Sequence, residues 1–185
     1  PYWGLFEGAE YDLPQPAWYH DGGAYCISKK IMQPYEDGYF HLEGKITRGM
    51  AAQILYNMEG KPAAEGENSF ADVAEDAWYR DAVTWAVDAG VMTGYSETAF
   101  GPDDYLTREQ LAAVLYRDAV WSDLDVSVGE DTNLLSYRDV DQVSQWAMEA
   151  MQWACGSGMI QGIAKNNTMY LDPQGDAVRS QSATM

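Results

Sequence analysis

Apolar and small residues recur at helical spacing in three places along the chain. Trp78, Ala82, Trp85, Ala86 and Ala89 share one helical face. Trp146, Ala150, Trp153, Ala154 and Ser157 repeat the pattern, and Trp18, Gly22, Tyr25, Cys26 and Lys29 repeat it more loosely. The spacing predicts three helices, each opening at its Trp. Gly90 and Gly158 read as their C-caps, with Lys30 at the same place in the first. Turn residues follow, as in "GPDD" and "DPQG". A second helix then begins. Thr107, with Gln110 three residues on, is a capping box; Thr47 keeps the cap but Met50 breaks the box, and Val178 lacks the cap.

These elements belong to a repeat. "YDLPQPAWYHDGG", "FADVAEDAWYRDA" and "YRDVDQVSQWAMEA" bring Asp12, Asp72 and Asp139 into line, and then Trp18, Trp78 and Trp146. "FHLEGKITRGMAAQILY", "FGPDDYLTREQLAAVLY" and "LDPQGDAVRSQSATM" align without gaps and superpose Arg48, Arg108 and Arg179. The copies span 11–58, 70–120 and 137–185. Linkers at 59–69 and 121–136 separate them, and an aromatic N-terminal extension covers 1–10. Copy three reaches Met185 within two turns of its second helix, so a full copy would run about ten residues further. The chain begins at Pro1 rather than Met, which reads as a piece of a longer or processed protein. Gly22, Ala82 and Ala150, then Cys26, Ala86 and Ala154, are small in all three copies. We therefore expect the three first helices to meet at a pseudo-threefold axis, with Cys26 on it and Cys155 one residue off. A disulfide between these two cysteines is left open but disfavoured, because both read as core positions of helices.

Composition narrows the chemistry. Hydrophobic residues make up 46% of the chain, enough for a core. The net charge of −18 excludes the basic footprint of a nucleic-acid binder and disfavours anionic membranes. No apolar run is long enough to span a bilayer. Aromatic residues are abundant, at 13%, and serve equally as core and as platforms for sugars. Trp18, Trp78 and Trp146 thus have two readings, core anchor or groove wall.

The arginines are the least ordinary feature. Three of the six in the chain occupy one repeat position, in the first turn of the second helix. A cation there opposes the helix macrodipole, where an acid would be favoured. Two readings account for it. A helix N-terminus with a guanidinium added makes a carboxylate or phosphate site. Alternatively, each Arg pairs with Asp12, Asp72 or Asp139 of a neighbouring copy.

The segments "FADV", "WYRDAVTWAVDAGVMTG" and "LTREQLAAVLYR", with their relatives in the other copies, resemble the S-layer homology family over about 11–185. The resemblance implies an all-α trefoil of three helix–loop–helix repeats around a central three-helix bundle. It also implies an extracellular, non-catalytic module at the bacterial cell surface that binds an anionic secondary cell wall polymer, often pyruvylated, in grooves between copies. The site residues implied are Arg48, Arg108 and Arg179, with Thr47, Thr107, Trp18, Trp78, Trp146, Asp12, Asp72 and Asp139. The family's Thr-Arg-Ala-Glu signature appears here as Thr47-Arg48-Gly49-Met50, Thr107-Arg108-Glu109-Gln110 and Val178-Arg179-Ser180-Gln181, each without the final Glu.

The second reading is a protein-interaction or surface-layer module that self-associates through cations and binds no glycan directly. Catalysis finds little support. No carboxylate pair stands apart from the repeat, and no nucleophile motif or phosphate loop appears. "GPDDYLTREQL" lacks calcium-loop spacing, and His20 and His41 occupy inequivalent positions, so neither a metal nor a cofactor is expected.

Overall fold

A computed structural model describes residues 17–35, 37–129 and 132–184. The extension at 1–10 and Asp12 lie outside these residues. The chain is mostly helical. Copy one contributes α1 (His20–Ser28) and α2 (Arg48–Met58), copy two α3 (Arg80–Asp88) and α4 (Arg108–Trp121), and copy three α5 (Met148–Gly156) and α6 (Arg179–Thr184). Copy three also carries a small antiparallel hairpin, β1 (Ile163–Lys165) and β2 (Thr168–Tyr170), which pairs Ile163 with Tyr170.

The first helices start two residues later than the spacing predicts. Trp18 and Trp78 stand in a turn, and Trp146 in a 3-10 turn over Gln145–Ala147. Helical spacing of a Trp with later apolar residues does not fix where the first hydrogen-bonded turn begins. The C-caps form as expected. Lys30, Gly90 and Gly158 share a left-handed backbone, with φ of 58°, 72° and 78°. Lys30 carries a steric cost there that glycine avoids.

The small residues do not bring the first helices together. Each first helix packs instead on the second helix of the preceding copy: α3 on α2, α5 on α4, and α1 on α6. A Cβ on Gly22 would collide with the Ala183 carbonyl, and Cys26 Sγ lies 3.6 Å from that same oxygen. Ala82 and Ala86 join Ala52 and Leu55 in one core, and Ala150 and Ala154 join Ala112 and Ala113 in another. The expectation of a shared axis for the first helices fails because a small face serves any close helix pair, and its partner here is the second helix of the preceding copy. Both cysteines are free thiols.

The second halves of the copies close a ring. The Ile46 N–H donates to the Ala177 carbonyl (3.0 Å), Ala177 to Leu106 (2.9 Å), and Leu106 to Ile46 (3.0 Å). All three residues are fully buried. Isolated bridges flank them, Lys45 with Val178, Thr47 with Tyr105 and Thr107 with Asp176. Each backbone group at this centre is therefore satisfied by another copy, and no copy completes the ring alone.

The linkers are tied down. The Gly66 amide donates to Asp88 at 2.6 Å, and Leu134 is buried against α5.

An apolar cavity of about 360 Å³ lies among α1, α2, α4 and α6. Asp118 of α4 lines it, 3% exposed, and its Oδ1 has no hydrogen-bond partner. Burial, with Glu59 adding, pushes its carboxyl from the ordinary 3.8 up to about 7. Between these values the folded protein holds a proton that the unfolded chain has released. Through this group, stability falls as pH rises from about 4 to about 7 and is flat on either side. Asp118→Asn should therefore unfold at higher urea concentration than the parent at pH 8. The gap should shrink toward pH 4, as urea melts at the two pH values will record.

Candidate functional site

The three arginines define three equivalent seams. Seam one lies between copies one and two, seam two between copies two and three, and seam three between copies three and one. In each, the guanidinium reaches across to two backbone carbonyls of the following copy. Arg48 Nε donates to the Phe100 carbonyl at 2.9 Å and Nη2 to Thr93 at 2.6 Å. Arg108 donates to Leu171 (2.8 Å) and Gln161 (3.2 Å), and Arg179 to Phe40 (2.9 Å) and Gln33 (3.2 Å). The side chains are buried, at 8%, 4% and 5% exposure.

The helix N-termini are likewise occupied. The Arg48 and Gly49 amides donate to the carbonyls of Asp104 (2.9 Å) and Pro102 (2.8 Å). Arg108 and Glu109 bond Gly175 and Pro173, and Arg179 and Ser180 bond Gly44 and Leu42. The free N–H groups that an anion site would use are thus spent on the next copy's loop. This also explains why a cation is stable in a first helical turn. The carbonyl oxygens of the docked loop surround it and outweigh the macrodipole.

The aspartates hold the other side of the same loop. Asp72 accepts from the Phe100 amide (2.9 Å) and the Gly101 amide (2.7 Å), and Asp139 from Leu171 and Asp172, both at 2.8 Å. Burial opposes ionisation of Asp72, yet the Phe100 and Gly101 amides, with Arg48 beyond, hold its carboxyl below the usual range. For Arg48 and Arg108 there is no direct ion pair with Asp72 or Asp139 among the described residues. The Asp clamps the loop's amides and the preceding copy's Arg clamps its carbonyls, so the two charges meet through one peptide.

Thr47 and Thr107 cap α2 and α4, accepting from the Met50 amide (3.2 Å) and the Gln110 amide (3.3 Å). Gln110 closes the box by accepting from the Thr107 amide, and Gln181 does the same for Val178, which has no side-chain oxygen of its own. The three Trp are exposed, at 65%, 63% and 55% for Trp18, Trp78 and Trp146. Trp18 and Trp78 stand edge-on to Tyr19 and Tyr79, with ring centroids 5.4 and 4.9 Å apart. His20 contacts Asp21, and His41 contacts Asp37.

One repeat position escaped the sequence reading. The residue two beyond each outer carbonyl acceptor is Tyr35, Tyr95 or Ile163. Tyr95 lies over the Arg48 guanidinium at 4.6 Å, with Phe100 also at 4.6 Å, and Tyr35 lies over Arg179 at 5.0 Å. The signal was available in "QPY", "TGY" and "QGI", but only once the register through Gln33, Thr93 and Gln161 is known. Glu109 was also missed. Its buried carboxylate accepts from the Ser144 amide (2.9 Å), Ser144 Oγ (2.7 Å) and Gln174 Nε2 (2.8 Å).

The chain is thus a helical repeat protein whose copies close a ring through docked loops. The chain belongs to the S-layer homology family: residues 69–112 and 136–175 each match the S-layer homology domain. It is 32% identical to a surface-layer 125 kDa protein of Lysinibacillus sphaericus over 86% of this chain and 13% of that protein. It is 24% identical to a cellulosome-anchoring protein of Acetivibrio thermocellus over 84% of this chain and 34% of the other. An endoglucanase of Bacillus sp. (strain KSM-635) is 28% identical over 75% of this chain and 14% of its own length. The chain thus spans a minor part of each of these relatives. Copy one lies outside the matched segments, yet it forms the same two helices and makes and receives the same arginine–carbonyl contacts.

A buried guanidinium with two carbonyl partners cannot be removed cheaply. Each hydrogen bond from a charged donor contributes roughly 1.5–3 kcal/mol. Arg108→Ala should therefore lose at least about 3 kcal/mol of unfolding free energy. Arg108→Lys should recover little of it, because an ammonium cannot bridge both carbonyls as a planar fork does. Equilibrium urea denaturation of the three proteins measures both effects.

Proposed function

We propose that this chain is the non-catalytic anchoring module of a bacterial cell-surface protein. It holds that protein to an anionic, pyruvylated cell wall polymer through the seams between its copies. The observation that supports this most is the recurrence in every copy of an exposed Trp and of a buried arginine at a helix start, in a chain of the S-layer homology family. A Trp face stacks on the apolar side of a sugar ring. A guanidinium partly shielded from water acts on a ligand carboxylate more strongly than one in solvent. The relatives fit the reading. One is named for a surface layer and another for anchoring a cellulosome, and the endoglucanase is far longer than the part this chain matches. Catalysis then belongs elsewhere in such proteins, and the parent of this chain is displayed at the bacterial cell surface.

Asp72 and Asp139, with Thr47 and Thr107, act in this reading as positioning residues. They fix the loops and helix ends that carry the contact surface. Arg48, Arg108 and Arg179 hold each seam closed and supply its positive field, while Trp18, Trp78 and Trp146 touch the sugar.

Purified polymer, and the same polymer freed of its pyruvate ketals by mild acid, provide the test. The chain should co-sediment with the first and lose most of that binding with the second. Equal binding to both would contradict anion recognition. No binding to either, together with calcium-dependent self-association in analytical ultracentrifugation, would favour a lattice role.

A further inference from the structure

None of the three clamp arginines, their carbonyl acceptors or the three exposed Trp lines the apolar cavity among α1, α2, α4 and α6. Ile46, Ala51 and Leu111 in its wall are almost wholly buried, whereas Tyr25, Met58 and Leu124 are 58%, 47% and 61% exposed. The cavity therefore meets solvent past an apolar rim. An apolar cavity of roughly 150 Å³ holds one benzene ring. At about 360 Å³, this one has room for a larger body. Apolar surface placed there leaves water, which favours binding.

One part of the wall is acidic. Asp118 is buried there and its Oδ1 lacks a hydrogen-bond partner. Half-buried Glu59 also lines the cavity and acts on Asp118 as a like charge. No Lys or Arg lines it, and neither carboxylate has an ion-pair partner among the described residues. The other titratable side chains in the lining are Tyr25 and Cys26, and burial pushes the Cys26 thiol up, so it carries no charge. Folding has already taken Asp118 out of water. A donor brought to it therefore gains a hydrogen bond without that desolvation, and a charged donor gains most. A neutral apolar guest would leave Asp118 unpaired, and an anion would meet two carboxylates.

We propose that this cavity binds a small amphiphilic cation, an alkylammonium whose apolar body fills the space and whose N–H donates to Asp118. Glu59 adds a second negative charge at the same wall. The net charge of −18 raises the local concentration of cations around the whole chain. The site is separate from the seams, and it stands whether or not the chain holds a cell wall polymer.

Isothermal titration with n-hexylammonium chloride and with 1-hexanol, which has the same chain and no charge, tests this. At pH 8 the Asp118 carboxyl, raised to about 7, is mostly ionised. The unsubstituted chain should bind the ammonium at least about tenfold more tightly than the alcohol, the factor expected of one charged hydrogen bond. n-Butylammonium should bind more weakly, by about fourfold for each methylene lost. Asp118→Asn removes an unpaired buried charge and should keep the fold, which thermal melts check. It should bind hexanol as before and lose the preference for ammonium. Equal binding of the two ligands by the unsubstituted chain, or binding of neither, overturns the proposal. A preference that survives Asp118→Asn also overturns it, since the ammonium would then be gathering on the acidic surface. Exclusion of hexylammonium by a longer stretch of the same protein, or by rising concentration of the chain itself, would assign the cavity to polypeptide and likewise overturn it.

Discussion

The fold depends on one contact repeated three times. An arginine from one copy enters the loop of the next and satisfies two of its carbonyls, and in copies two and three Asp72 and Asp139 satisfy the same loop's amides. A loop docked this way brings its remaining carbonyls to the N–H groups of the preceding copy's second helix. The helix start, the loop conformation and the joint between copies are thus aspects of one arrangement. Because the third arginine reaches back to Phe40 and Gln33 of the first copy, the arrangement closes on itself. A closed ring has no weak terminal repeat, unlike an open solenoid, whose end copies lack a neighbour.

The cores follow the same logic. Each buried cluster draws on more than one copy: Leu106 and Ala177 join copy one, Ala52 joins copy two, and Ala112 joins copy three. A pair of short helices cannot bury an apolar face alone, so the copies must associate to fold. Small residues on the first helices allow that association at close range, as Gly22 against Ala183 shows most directly.

Much of this was legible in the sequence. The repeat, the helix–loop–helix order, the caps at Thr47 and Thr107 and the left-handed position at Lys30, Gly90 and Gly158 all follow from local chemistry, which spacing records faithfully. The register of Arg48, Arg108 and Arg179 was also clear, and their opposition to the macrodipole marked them as unusual. The partner of each was not clear. An arginine near a helix N-terminus is compatible with a ligand carboxylate, a neighbouring aspartate or a neighbouring carbonyl, and only the positions of the loops decide among them. The same limit applied to the small faces, whose partner is the preceding copy's second helix. Tyr95 and Glu109 went unnoticed because neither is repeated in all three copies. Their departure from the repeat is what distinguishes the seams.

Division of labour follows from burial. The clamp arginines are buried and bonded to backbone carbonyls, whereas Trp18, Trp78 and Trp146 are exposed. Amide hydrogen exchange at Ile46, Leu106 and Ala177 tests the closed ring most directly. The account predicts that all three exchange only through global unfolding, with equal protection set by the stability of the whole unit. An Ala177 amide that exchanges orders of magnitude faster than Ile46 and Leu106 would mean that copy three opens by itself, and the claim that the copies form one closed unit would fail.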